Sequence, residues 1–286
     1  MVENILEIDN LTKEYDGFKL NNISFNLPKG SIMGLVGENG AGKSTTIKLI
    51  LNLIKRKSGT IKVFGLDNIK DEKEIKEQLG VVLDESYFHD NLNSKDVSSI
   101  MSRIYKNWDT PLFESYLKKF NLPEKKIIKE YSRGMKMKLS IAVALSHHPK
   151  LLILDEATSG LDPMVRNEIL DVFLDFIQDE NHSVLISSHI ISDLEKAADY
   201  ITFIYQGEIV FSEEKDTLLD SYGILKCGGE DFKTLDKESM VAFEKSSFGY
   251  NVLIKNRHSL PERYNKFIID KPSLEDIMLL YTRRDR

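Results

Sequence analysis

The chain has 286 residues, 41% apolar and 29% charged, the balance of a globular protein with one sizeable core and room for a second small unit. A net charge of −6 runs against nucleic-acid binding, and one cysteine, Cys227, leaves no internal disulfide and no cysteine cluster for zinc or iron–sulfur. No stretch approaches the roughly 18 apolar residues of a membrane helix, and the first eleven residues lack a signal peptide's apolar core, so the chain is expected in the cytoplasm.

Residues 4–8 and 23–27 read as short strands, with Asp16-Gly17 as a turn. Tyr15, just before that turn, has two readings: a packing residue of a small sheet, which sequence alone favours, or a ring that stacks on a nucleotide base. An apolar run at 32–36 then reads as a buried strand, and Ile47, Leu49, Ile50, Leu51 and Leu53 as a buried helix. Between them lies Gly37-Glu38-Asn39-Gly40-Ala41-Gly42-Lys43-Ser44-Thr45, the strand–loop–helix context of a P-loop. The three glycines let the backbone close around phosphate oxygens, and the N–H groups of the loop and the helix start face inward. Lys43 would reach the β- and γ-phosphates, and the Ser44 hydroxyl would ligate Mg²⁺.

Residues 59–64 offer another strand. Beyond residue 84 the period becomes helical: Val97, Ile100, Met101 and Ile104, then Phe113, Tyr116, Leu117 and Phe120, are expected to form core faces of a helical insertion spanning about 85–150. Ser132 is placed to cap the helix carrying Leu139, Ala142, Val143 and Leu145. The adjacent His147 and His148 point to different faces, cannot form a helical metal pair, and read as surface or capping residues. The aliphatic run 151–154 fits a central parallel strand, with Asp155 and Glu156 at its ligand-binding carboxyl end. Asp162-Pro163 opens a further helix. A strand at 183–188 ends at His189, a helix is expected at 193–198, and Gln206-Gly207 marks a hairpin. Farther on, a short helix at 216–222, a strand at 250–254 and a capped helix at 273–283 suggest a small α+β tail without visible chemistry.

These motifs, in order and spacing over about residues 3–212, resemble the nucleotide-binding subunit of an ATP-binding cassette (ABC) transporter: the Walker A loop at 37–45, a signature-like Tyr-Ser-Arg-Gly-Met at 131–135, Walker B at 151–156, Ser-Gly-Leu-Asp at 159–162, and His189. The resemblance implies an α/β fold: a P-loop NTPase (RecA-like) core in residues 1–212 with an antiparallel β subdomain and a helical insertion subdomain, then a small C-terminal α+β extension at 213–286. It makes Tyr15 the adenine-stacking aromatic, Asp155 a holder of Mg²⁺, Glu156 the general base or water-orienting group, and His189 the γ-phosphate sensor. It has Ser132, Gly134 and Asp162 act in trans on ATP held by a second ABC subunit, identical or related, in a head-to-tail dimer. Two departures stand out. Arg133 replaces the signature's first glycine and reads as solvated or as a charge near the γ-phosphate, with solvation favoured; Asp84 replaces a glutamine and is expected to approach the metal. The terminal Pro-Ser-Leu-Glu-Asp-Ile-Met is similar to subunits driving bacterial drug, antibiotic or peptide exporters. The implied role is ATP hydrolysis on the cytoplasmic face of the membrane, powering a separate transmembrane permease docked near Tyr87, Phe88 and Leu92. An importer ATPase and a soluble ABC protein acting on nucleic acid or ribosomes are the alternatives.

Overall fold

A computed structural model describes residues 3–84, 88–236, 239–246 and 249–283. It divides into two compact units, Met1–Ser212 and Glu213–Arg286.

The first unit opens with β1 (Asn4–Tyr15) and β2 (Phe18–Pro28), an antiparallel pair longer than the short strands expected from pattern. Register shifts between Ile8 and Leu11 and between Leu11 and Lys13 interrupt the alternation by which a strand is recognised, and Asn10 and Asn22 take positive φ there. β3 (Ile32–Val36) is buried at every position and leads through the glycine loop into α1 (Lys43–Ile50). That helix stops before the expected Leu53. Asn52 sits at φ 54°, its N–H donates to the Leu49 carbonyl and that of Leu53 to the Lys48 carbonyl, a Schellman stop that leaves Leu53 55% exposed. β4 (Ser58–Val63) and β5 (Leu66–Asp67) complete a four-stranded sheet in the order β2-β1-β4-β5.

After α2 (Glu72–Glu77) and β6 (Leu79–Val82) come α3 (Ser94–Ile104), α4 (Thr110–Lys119) and α5 (Arg133–Leu145). Val97, Phe113, Leu117 and Phe120 are buried as expected, but Ile100 and Ile104 are exposed. The inward face of α3 runs through Ser94, Val97, Ser98 and Met101, so two serines occupy core-facing positions and the two isoleucines fall outside the stripe. His147 also departs from its surface reading. It is buried, its Nε2 lies 2.9 Å from the Leu79 carbonyl, and its ring stacks on Tyr105 at 3.9 Å. Its neighbour His148 is exposed and faces Asp109.

β7 (Leu151–Asp155), α6 (Pro163–Phe176), β8 (Ser183–Ser188), α7 (Ile191–Ala197), β9 (Tyr200–Tyr205) and β10 (Glu208–Glu214) follow. The second sheet has the order β10-β9-β3-β8-β7-β6. β3, β7 and β8 are buried throughout, as strands covered on both faces must be. Gln206 and Gly207, both at positive φ, turn β9 into β10.

The second unit holds α8 (Lys215–Ser221), β11 (Gly223–Cys227), α9 (Gly229–Phe232), β12 (Met240–Ser246), β13 (Gly249–Ile254), β14 (Ile268–Asp270) and α10 (Leu274–Arg283). Its antiparallel sheet, β12-β13-β11-β14, encloses Leu225, Val252, Ile254 and Tyr264. Ser273 and Asp276 exchange the two hydrogen bonds of a capping box at the start of α10, which buries Leu274, Ile277, Met278 and Leu280.

Candidate active site

Parallel pairing brings three segments to one edge of the second sheet. Val36 is in register with Ser188 and Asp155 with Ser187, so the loop after β3, the carboxylates ending β7 and His189 after β8 emerge side by side.

The loop is held tightly at both ends. A Cβ on Gly37 would stand 2.3 Å from the Ile204 carbonyl oxygen, and Gly42 adopts φ 120°, so both positions demand glycine. Gly207 N–H donates to the Ala41 carbonyl at 3.0 Å, and the Thr46 hydroxyl to the Gly42 carbonyl at 2.9 Å. Between these anchors Glu38, Asn39 and Gly40 form an exposed tip, while Ser44 and Thr45 are half-buried in the first helical turn. No side chain caps α1 and no acidic residue sits in its first turn, which leaves the helix start electropositive.

Lys43 is 5% exposed; its ammonium donates to the Gly37 carbonyl at 2.8 Å and the Glu38 carbonyl at 3.3 Å and forms an ion pair with Glu156 Oε1 at 3.3 Å. The other carboxylate oxygen of Glu156 lies 2.6 Å from His189 Nδ1, which donates to it. Glu156 itself stands at φ 54°, in the left-handed region that disfavours a side chain and costs on the order of 1–3 kcal/mol. Its N–H is fixed there by the Ser187 carbonyl at 3.1 Å and hydroxyl at 3.2 Å. Asp155 is buried, and its Oδ1 accepts from the Ser44 hydroxyl at 3.1 Å and from the Ser187 hydroxyl at 2.5 Å. Cation, glycine amides, hydroxyl and two carboxylates thus gather at one edge of the sheet, the inventory for positioning a phosphoryl group and a nucleophile.

A model of the ABC transporter family matches residues 20–159. The lantibiotic transport ATP-binding protein SrtF of Streptococcus pyogenes is 39% identical over 219 residues, covering 74% of this chain and 92% of that protein. The bacitracin transport ATP-binding protein BcrA of Bacillus licheniformis is 36% identical over 209 residues, covering 72% and 68%. A solved ATP-binding subunit of an ABC transporter superposes with a TM-score of 0.67 at 25% identity, over 76% of this chain and 92% of that one. The chain belongs to the ABC transporter ATP-binding family.

In this ABC ATPase the signature-like segment bonds to partners other than the cluster around Lys43. Among the described residues, neither Ser132 nor Gly134 nor Asp162 bonds to the 37–45 loop, to Asp155, to Glu156 or to His189. Ser132 caps α5 by accepting from Met135 N–H at 3.2 Å. Asp162 caps α6, accepting from Met164 N–H at 3.1 Å and Val165 N–H at 3.0 Å. A Cβ on Gly134 would come no nearer than 3.4 Å to Val165 and 4.0 Å to the Ser132 hydroxyl, ordinary contact distances, so packing within the chain does not demand a glycine there. Tyr131, which precedes Ser132, buries its ring and donates its hydroxyl to the Pro123 carbonyl at 2.7 Å. Burial pushes its phenol up from the ordinary value.

The two departures of the ABC ATPase from its family pattern touch each other. Arg133 Nη2 lies 2.9 Å from Asp84 Oδ1, so Arg133 is paired rather than simply solvated, and among the described residues Asp84 makes no bond to Ser44 or Asp155. Tyr15 is 48% exposed at the end of β1, with Lys13 Nζ 4.9 Å from its ring centroid. An exposed ring is not the packing residue that sequence alone favours. Sequence reasoning also passed over Ser187, which donates to the Asp155 carboxylate and accepts from the Glu156 backbone N–H. Its signal is a buried hydroxyl at the carboxyl end of the apolar run Val184-Leu185-Ile186. Tyr87 lies outside the described residues, whereas Phe88 and Leu92 are half-buried. Among the described residues no helix is long and apolar enough to cross a membrane.

Proposed function

We propose that this ABC ATPase powers the export of an antibiotic, drug or peptide through a separate transmembrane permease, on the cytoplasmic face of the membrane, as one of two paired ABC subunits. The names of its relatives, transporters of bacitracin and of a lantibiotic, support the exporter reading. One structural observation carries the pairing. Lys43, Glu156 and His189 are assembled within the chain, while Ser132 and Gly134 form an exposed or half-buried helix start that, among the described residues, bonds to none of them and whose glycine answers no packing need of its own. A second subunit bringing that helix start to the γ-phosphate completes the site, with Asp162 at the same interface.

Within one subunit, Tyr15 presents a ring for the adenine, and the amides of residues 37–45 and Lys43 hold the phosphates. Glu156 accepts the proton of, or orients, the attacking water, and His189 fixes the Glu156 carboxylate. Ser44 and Asp155 offer adjacent hard oxygen donors suited to Mg²⁺, a cation that neutralises phosphate charge when bound. ATP entering the loop competes with Glu156 for Lys43, so substrate binding itself frees the carboxylate.

The test is recovery of a tagged chain from membranes of its source cells, followed by turnover measurements with the recovered partner. Co-purification of an exporter-type permease that stimulates ATP turnover is the expected result. Phe88→Ala is expected to weaken that association with ATP binding intact. Recovery of a binding-protein-dependent import permease, or of salt-sensitive complexes with ribosomes or nucleic acid, would overturn the proposal.

A further inference from the structure

Asp84 leaves the sheet at the edge where the phosphate loop lies. β6 pairs in parallel with β7, Val82 opposite Leu154, so Asp84 comes two residues beyond its strand as Glu156 does beyond Leu154. A carboxylate at that edge repels a triphosphate. Among the described residues, its one ionic partner is Arg133, from the first turn of α5, 49 residues away in sequence. The same guanidinium lies across Gly160, four residues past Glu156: a Cβ there would stand 2.7 Å from Arg133 Nη1. Both partners of the pair are about half exposed, 54% and 53%, and an ion pair so open to water adds little to folding stability. Its consequence is therefore electrostatic and local to the site.

We propose that Arg133 is the counter-ion that allows a carboxylate at position 84 on the triphosphate-binding edge. The two residues are a matched pair, each needed because the other is present. Loss of Arg133 alone leaves Asp84 bare and weakens ATP binding; once Asp84 is neutral, Arg133 is dispensable for it. Arg133 thereby acts on the nucleotide through Asp84, as a positioning residue. This rests on residues 37–45 being the ATP loop, a reading that fails separately if Lys43→Ala binds ATP as the native chain does.

A fluorescent ATP analogue titrated with Mg²⁺ onto the full chain, and onto Arg133→Gln, Asp84→Asn and the double variant, tests the pair. Arg133→Gln is expected to weaken binding about tenfold, Asp84→Asn about twofold at most, and the double variant to match Asp84→Asn within about twofold. Arg133→Lys should retain most of the affinity, and the Arg133→Gln penalty should shrink as salt rises. Melting temperatures within a few degrees of the native chain keep these comparisons free of folding effects. The same penalty for Arg133→Gln with and without Asp84, or none in either background, would overturn the proposal.

Discussion

Glu156 is gripped from both sides: Oε2 accepts from His189 at 2.6 Å while Oε1 faces the buried Lys43 ammonium at 3.3 Å. One carboxylate thus couples the phosphate loop to the segment after β8, and its left-handed backbone is a strain that the Ser187 contacts sustain. The arrangement predicts opposite binding consequences for removing either end of the Lys43–Glu156 pair.

Glu156→Gln should cut ATP turnover about 100-fold or more, since a positioned general base contributes on that scale. It should hold ATP at least as tightly as the native chain, because the competing charge on Lys43 is gone, and should accumulate a nucleotide-bridged dimer. Lys43→Ala should lose ATP affinity instead. Calorimetric titration and gel filtration with ATP separate the two, and a Glu156→Gln variant with native turnover would refute the assigned role.

Ser187→Ala removes the hydroxyl that donates to Asp155 and accepts from Glu156 N–H. Groups that orient ligating carboxylates typically affect metal affinity or activity by about 10–100-fold. The expected result is a rise of about tenfold in the Mg²⁺ concentration for half-maximal turnover. A lower melting temperature with an unchanged Mg²⁺ titration would assign Ser187 to folding alone.

What could be read from sequence follows a physical division. Residues 37–45, Asp155, Glu156 and His189 each end a short apolar run, and the carboxyl ends of parallel strands share an edge, so local pattern foretells their convergence. The Asp84–Arg133 contact spans 49 residues and depends on where α5 docks, which no local pattern encodes. Ile100 and Ile104 misled because apolar spacing marks burial only when the inward face is apolar, and in α3 that face includes Ser94 and Ser98. Ser187 was hidden because one serine in a strand looks like any other until the carboxylates beside it are seen.

His147 gives the fold an acid sensitivity. Burial favours its neutral ring, so its folded-state pKa lies below the ordinary 6.5. Above that value both folded and unfolded chains hold it neutral and its contribution is complete. As pH falls below 6.5 the unfolded chain takes up a proton that the folded chain refuses, and stability drops by up to about 1.4 kcal/mol per pH unit until the folded ring titrates as well. Urea unfolding at a series of pH values should therefore show a shallower acid decline for His147→Gln than for the native chain. Parallel declines would show that the residue does not govern it.

Tyr15 separates recognition of the base from recognition of the phosphates. Its ring is half exposed beside the Asp16-Gly17 turn, so its truncation removes no core packing and should leave the melting temperature unchanged. Stacking of a base on an aromatic side chain contributes about 1–3 kcal/mol, which places the expected loss in affinity for Tyr15→Ala at about tenfold. Because ATP and ADP share the adenine, the loss should be the same for both, whereas Lys43→Ala should penalise ATP more than ADP. Tyr15→Trp, which keeps a π-face, should bind both nucleotides as the native chain does. Direct binding titrations of the two nucleotides decide it: a Tyr15→Ala variant that discriminates between ATP and ADP, or that melts several degrees lower, would place the ring against the phosphates or in the core instead of under the base.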